Sequence, residues 1–215
     1  MIKVLIADDH AIVREGLKQI LAETADLVVA GEASNGREVL THVRNQECDL
    51  VLLDLGMPGK DGLETLKELK QEKPNLPVLV LSIYPEEQYA VRLLKAGASG
   101  YLTKESAPEE LIAAIRKVSR QGMYVSASLG EKLALDLQTD GEKPVHELLS
   151  DREFRVMLLI AGGKTVKEIA EEMFLSVKTI STYRVRALNK MHMKNNAEFT
   201  YYAIKKGLLD LKAPG

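Results

Sequence analysis

The 215 residues are 46% hydrophobic and 28% charged, too apolar for general disorder and numerous enough for two domains that each bury a core. The net charge of −2 hides an asymmetry, with −4 over residues 1–121, −3 over 122–147 and +5 over 148–215, so the two ends are expected to meet different partners and the basic end is the candidate for nucleic acid. No apolar run is long enough for a signal peptide or for the roughly 18 residues of a membrane span, which points to a cytoplasmic protein with no membrane partner, and the single cysteine, Cys48, excludes an intramolecular disulfide and reads as a small core residue.

In chain order, residues 2–120 alternate five short apolar runs with amphipathic stretches. The runs are Ile2–Ala7, Leu27–Ala30, Leu50–Leu55, Val78–Leu81 and Gly100–Leu102. Between them apolar residues recur at three and four, as in Leu17, Ile20 and Leu21 or Leu63, Leu66 and Leu69. Near-continuous apolar strands separated by helices predict a doubly wound α/β domain with a five-stranded parallel sheet covered on both faces. Residues 122–147 lose that period and turn acidic, which predicts a linker, flexible around 138–147. From Leu149 the pattern is helical throughout: Ser150 or Asp151, Thr165 and Ser176 are candidate N-caps, and Asn195-Asn196 precede a last helix ending near Gly207. The boundaries are therefore 1–121, 122–147 and 148–215.

The polar residues just after the strands are Asp8 and Asp9, Asp54, Ser82 and Lys104, and in such sheets reactive groups collect at the carboxyl ends of strands. Three carboxylates crowded in one cleft repel unless a cation sits among them, and a hard ion with few protein oxygens implies Mg2+. Asp54, alone on its strand, is the best nucleophile toward phosphorus, with Lys104 neutralising the transferring oxygens and Ser82 donating a hydrogen bond to one of them. Taken singly, the aspartates read as helix caps, Ser82 as a turn residue and Lys104 as a surface lysine. Joint placement at four strand ends favours a site.

These residues resemble the receiver domains of two-component response regulators. The resemblance covers residues 2–120 and rests on the acidic pair, on Asp54 in Asp54-Leu55-Gly56-Met57-Pro58-Gly59-Lys60-Asp61-Gly62, on Ser82, and on Lys104 closing Gly97-Ala98-Ser99-Gly100-Tyr101-Leu102-Thr103-Lys104. It implies a flavodoxin-like strand order 2-1-3-4-5 and phosphorylation of Asp54 by a sensor histidine kinase. It also implies magnesium bound directly by Asp9, Asp54 and the Gly56 carbonyl, with Asp8 acting through water, and Tyr101 as the aromatic that turns inward when Ser82 moves. Catalysis would be confined to self-phosphorylation and autodephosphorylation of Asp54, so the chain is not expected to be an enzyme in its own right. A phosphomonoester hydrolase sharing the nucleophile is the enzyme alternative, but it wants an acid two residues after Asp54, where Gly56 stands.

Two helices joined by the tight Met173-Phe174-Leu175-Ser176 turn form a helix-turn-helix pattern in a small all-α, four-helix domain. Residues 149–191 resemble the LuxR-type helix-turn-helix of the NarL/FixJ response regulators, on Leu149-Ser150, Arg152-Glu153, Leu159-Ile160-Ala161-Gly162-Gly163, Lys167-Glu168-Ile169-Ala170 and Leu175-Ser176 with Lys178-Thr179-Ile180. They depart from the commonest form at Ser181, where lysine is usual, and at Tyr183, where histidine is usual. Lys178, Ser181, Thr182, Arg184, Val185 and Arg186 lie around the polar side of the third helix, with Lys190 adding charge and Thr179 placed to meet a phosphate at the helix start. Ile180, Tyr183, Ala187 and Met191 form its buried stripe. Glu198, Tyr201, Tyr202, Ile204, Leu208 and Leu209 are the expected apolar side of the fourth helix. The resemblance implies a DNA-binding transcription regulator that acts on double-stranded promoter DNA as a homodimer, with RNA polymerase as a further candidate partner. A regulator that ignores phosphorylation and uses the receiver only to dimerise stays open as the alternative, and an RNA-binding antiterminator is a weaker one.

Overall fold

A computed structural model describes residues 1–120, 122–126, 129–131 and 144–209. The chain divides into two compact units, Met1–Ala134 and Leu135–Gly215. The first alternates strands and helices as expected: β1 Ile2–Ala7, α1 Ala11–Ala22, β2 Leu27–Ala33, α2 Gly36–Asn45, β3 Leu50–Asp54, α3 Gly62–Glu72, β4 Val78–Ser82, α4 Glu86–Lys95, β5 Gly100–Thr103 and α5 Pro108–Ser119. The five strands are parallel in the order β2-β1-β3-β4-β5. β2 continues three residues beyond its apolar run to Ala33, pairing Gly31, Glu32 and Ala33 with Leu5, Ile6 and Ala7 after the register slips between Val4 and Leu5.

Side chains alternate between the two faces of each strand. Val4 and Ile6, Leu50 and Leu52, Leu79 and Leu81 join Leu17 and Leu21 of α1 with Leu111, Ala114, Ile115 and Val118 of α5 in one buried cluster. The intervening Leu5, Val51, Leu53 and Val80 are also fully buried, on the side where α2, α3 and α4 contact β1, β3 and β5. Apolar residues on both faces leave polar ones only at the strand ends, and those ends carry the site.

The described structure runs past residue 121. The Tyr124 N–H donates to the Ser99 carbonyl at 2.9 Å, the Tyr124 hydroxyl donates to Glu110 Oε1 at 2.9 Å, and Ser126 hydrogen-bonds Glu86, so residues 122–126 lie along β5 and the adjoining helices. Residues 132–143, which hold most of the expected flexible segment, fall outside the described residues. Cys48 is half-buried rather than a core residue, and burial pushes its thiol up to about 11.

Among the described residues, the second unit holds a 3-10 turn, Val145–Leu148, followed by α6 Asp151–Ala161, α7 Val166–Glu172, α8 Val177–Lys190 and α9 Asn196–Lys205. The three caps read from sequence are present, with Ser150 rather than Asp151 capping the first helix, and Asn195 caps the last helix. Ser150 and Thr165 form reciprocal capping boxes with Glu153 and Glu168, and the Ser176 and Asn195 side chains accept from Thr179 N and Glu198 N. Each helix ends with a left-handed residue, Gly163, Phe174, His192 or Gly207, and the next N–H reaches back five residues, as Leu175 N does to the Ala170 carbonyl at 2.9 Å.

The core of this unit is Phe154, Val156, Met157, Leu158, Ile169, Ile180, Ala187, Met191, Phe199 and Ala203. α9 packs differently from the sequence reading. Its buried side is Phe199, Tyr202 and Ala203, while Tyr201 is 67% exposed, because the contact with α6 follows the three- and four-residue spacing that starts from Phe199. Replacing Phe199 with Ala should therefore cost about 3–5 kcal/mol and Tyr201→Ala less than about 0.5 kcal/mol, as read by denaturant unfolding of the two variants.

Candidate functional site

Asp8 and Asp9 follow β1, Asp54 ends β3, Ser82 ends β4 and Lys104 follows β5. β1 and β3 are neighbours, so the parallel register alone brings the three carboxylates to one end of the sheet. Asp8, Asp54 and Ser82 are buried, at 1%, 4% and 1% exposure. Lys104 Nζ lies 2.6 Å from Asp8 Oδ2 and 3.1 Å from Asp54 Oδ1, joining two carboxylates through one cation. The other Asp54 oxygen accepts from the Gly56 N–H at 3.1 Å.

Burial raises the Asp54 pKa above its ordinary value; Lys104 works against the shift, and Asp8 and Asp9 add to it. Burial also works against the charge on Lys104, but attraction by Asp54 and Asp8 outweighs it and its pKa is raised. The backbone around Asp54 is fixed from behind. Gly59 has φ +78°, the left-handed region that favours glycine, and a Cβ on Gly62 would come within 2.3 Å of the Asp54 carbonyl oxygen.

Lys104 can neutralise only one of three formal negative charges. The Asp9 Oδ1 atom is buried and accepts no hydrogen bond, and a buried acceptor without a partner is costly unless something occupies it. Carboxylate oxygens, one of them without a donor, are the donor set of a hard divalent cation. The residues fit such an ion.

Tyr101 lies inward and is 2% exposed, its hydroxyl donating to the Tyr84 carbonyl at 2.6 Å. Burial raises its pKa, partly offset by a side-chain hydrogen bond with Ser82. Ser82 Oγ also accepts from the Tyr84 N–H at 3.1 Å, and the Lys104 N–H donates to the Ser82 carbonyl at 2.7 Å. Ser82, Tyr84, Tyr101 and Lys104 are thus linked by hydrogen bonds.

Sequence reasoning passed over two residues. His10 directly follows the acidic pair, with Nδ1 2.9 Å from Asp9 Oδ1 and 3.3 Å from Asp8 Oδ1. Arg14, one turn into α1, donates from Nη1 to the Asp8 carbonyl at 2.7 Å and from Nε to Glu32 Oε2 at 3.0 Å, tying the loop to β2. Sequence shows only that a ligating residue and a cation stand within six positions of the acids; what each touches depends on side-chain reach.

On α8, Lys178, Thr182, Val185 and Arg186 are exposed along one face, with Thr179 and Ser181 half-buried at its edge. Four of the expected DNA contacts are already engaged. The Thr182 hydroxyl donates to the Lys178 carbonyl at 2.9 Å. The Thr179 N–H and hydroxyl both hydrogen-bond Ser176 Oγ within the cap. Arg184 Nε donates to Asn196 Oδ1 at 2.6 Å, and Lys190 Nζ lies 2.6 Å from Glu153 Oε2, a carboxylate that is 3% exposed. Burial works against the charge on Glu153, and Lys190 with the Ser150 cap outweighs it, holding its pKa below the ordinary value. The buried stripe is Ile180, Ala187, Leu188 and Met191, and Tyr183 is half-buried.

A family model described as a response regulator receiver domain matches residues 4–116, and one described as bacterial regulatory proteins of the luxR family matches residues 147–203. The chain is a response regulator of the NarL/FixJ family. It is 37% identical to the response regulator UvrY of Escherichia coli K12, over 97% of this chain and 96% of UvrY. It is also 37% identical to the response regulator GacA of Pseudomonas syringae pv. syringae, over 99% of this chain and all of GacA. Among solved structures, the RcsB response regulator of Salmonella typhimurium superposes with a TM-score of 0.69 at 27% identity, covering 95% of this chain and 98% of RcsB. RcsB bound to the rprA promoter in the presence of a phosphomimetic superposes with a TM-score of 0.63 at 27% identity, covering 94% of this chain and 98% of RcsB.

Two outcomes follow from the geometry. Asp54→Asn should stabilise the first unit by about 1 kcal/mol at pH 7. A carboxyl whose pKa is raised on folding contributes stability below its unfolded value, near 3.9, and loses it as pH rises through the folded value, so the advantage of Asn should vanish in acid unfolding below about pH 4. In the second unit, Lys190→Met should cost about 1–3 kcal/mol by leaving buried Glu153 without its cation, whereas Arg186→Ala should cost under about 0.5 kcal/mol; thermal unfolding separates them.

Proposed function

We propose that this response regulator accepts a phosphoryl group on Asp54 from the phosphohistidine of a sensor histidine kinase and thereby regulates transcription, binding double-stranded promoter DNA as a homodimer in the cytoplasm. The observation that carries the reading is the convergence of Asp8, Asp9, Asp54 and Lys104, with Lys104 within 3.1 Å of both buried carboxylates.

An Asp54 carboxylate oxygen attacks phosphorus, the bond from phosphorus to the histidine nitrogen breaks, and the imidazole leaves with the electron pair. Lys104 is already at the carboxylate and balances charge on the incoming oxygens, and the Ser82 hydroxyl turns to donate to one of them. Asp9, Asp54 and the Gly56 carbonyl, with Asp8 beside them, would hold a magnesium ion, which would supply neutralisation of charge on the phosphoryl oxygens. Because Tyr84 joins the two, its N–H donating to Ser82 Oγ and its carbonyl accepting from the Tyr101 hydroxyl, a shift of the Ser82 hydroxyl is passed to the aromatic ring.

On the DNA side, Lys178 and Arg186 provide charge toward phosphates, while Ser181, Thr182 and Val185 present small polar and apolar groups toward base edges. Arg184, Lys190 and Thr179 act from their places in the domain, by holding α8 to α9, to α6 and to its own cap. Two observations in relatives support the DNA reading: RcsB structures with promoter DNA, and RcsB dimers bound to DNA.

The test is incubation with acetyl phosphate and Mg2+, followed by intact mass. The expected result is one phosphate adduct on the wild type, absent from Asp54→Ala and reduced at least tenfold when EDTA replaces Mg2+. An adduct of equal yield on Asp54→Ala would overturn the assignment of Asp54.

A further inference from the structure

Beside the carboxylates, the site contains a nitrogen donor that a magnesium site does not need. His10 Nδ1 lies 2.9 Å from Asp9 Oδ1 and 3.3 Å from Asp8 Oδ1, and one donor atom from each of these residues falls within 4.8 Å of the others. Despite the 2.9 Å approach, Asp9 Oδ1 accepts no hydrogen bond. The ring is near the oxygen but not directed to share a proton with it. Two donors bound cis to one octahedral ion at about 2.1 Å stand about 3.0 Å apart, so the 2.9 Å separation from Asp9 is close to one edge of such a shell and the 3.3 Å separation from Asp8 is somewhat longer. The His10 N–H donates to Asp8 Oδ1 at 2.9 Å, and this turn holds the ring beside the acids.

We propose that His10 is a ligand in the acidic pocket, where it joins Asp9 and Asp8 and gives the site a preference for borderline divalent ions of the first transition row over magnesium. Imidazole is a strong ligand for nickel, zinc, iron and copper, whereas magnesium favours oxygen and dehydrates reluctantly. His10 therefore adds affinity for the former group and almost none for magnesium. The side chain is 64% exposed, so an ion reaches it from solvent without any movement of the core, and α1 begins one residue later without using the His10 side chain as a cap.

The inference rests on the proposed divalent site and deepens it, and isothermal titration of the full chain with MgCl2 and with NiCl2 separates the two. Wild type, His10→Ala and Asp9→Asn are compared, and excess magnesium serves as competitor. The expected result is one nickel ion per chain, displaced by magnesium and weakened at least tenfold in His10→Ala, while the magnesium Kd of that variant stays within about twofold and Asp9→Asn weakens both ions. Equal nickel binding by wild type and His10→Ala would overturn the role of His10 and leave the magnesium site standing. Nickel that magnesium cannot displace would place the ion elsewhere and overturn the proposal in the same way. A wild type that binds no magnesium would overturn the divalent site itself, and this inference with it.

Discussion

Crowded carboxylates at the end of a parallel sheet are the constraint on which the first unit turns. The inner strands β3 and β4 are apolar up to their last residues because helices cover both faces of the sheet, and their polar groups come where the strands stop. Asp8, Asp9 and Asp54 meet there because β1 and β3 are adjacent and in register. One lysine cannot balance three acids, and the surroundings compensate by directing donors at them: Lys104 to Asp8 and Asp54, the Gly56 N–H to Asp54, and the His10 N–H to Asp8. The site is stable but unsaturated, and a cation or a group bringing its own counter-ion lowers its energy. The same excess of negative charge that costs stability is what makes the pocket favourable for a cation.

Charge is managed differently in the second unit. Its surplus of cations sits on a helix whose position is fixed by caps and by two polar ties, Arg184 to Asn196 and Lys190 to Glu153. These ties orient α8 against α9 and α6, leaving Lys178, Thr182, Val185 and Arg186 as the outward face. Basic residues that look alike in sequence thus divide into those that hold the helix and those that face outward, and only burial of the partner distinguishes them. Lys190 is itself exposed, but the carboxylate it meets is not.

Much of the fold was legible in the sequence because periodicity and caps are local. The five apolar runs became the five strands, Thr165 and Ser176 capped the helices expected of them, and Ser150 took the cap left open between it and Asp151. The extra length of β2 was not legible, since Gly31 and Glu32 carry no strand signal and join through pairing with β1. Nor was the buried side of α9: Tyr201 and Tyr202 are equivalent in composition, and only packing against α6 decides that Tyr202 turns in. Of the candidate site, the acids and Lys104 could be read because topology sends all strand ends to one edge. His10 and Arg14 act through side-chain reach and backbone donation, which spacing alone does not report, and the engagement of Thr179 within its own cap became visible only with hydrogen-bond geometry.

The central claim is that occupancy of Asp54 controls the α8 face. Its most direct measurement is fluorescence anisotropy of a labelled duplex, selected from random sequence by the acetyl-phosphate-treated protein and titrated with wild type and Asp54→Ala in Mg2+, with and without beryllium fluoride. The account predicts at least a tenfold tightening by beryllium fluoride for the wild type and none for Asp54→Ala. Equal affinity in all four titrations would contradict it, leaving a DNA-binding protein whose receiver does not govern the helix.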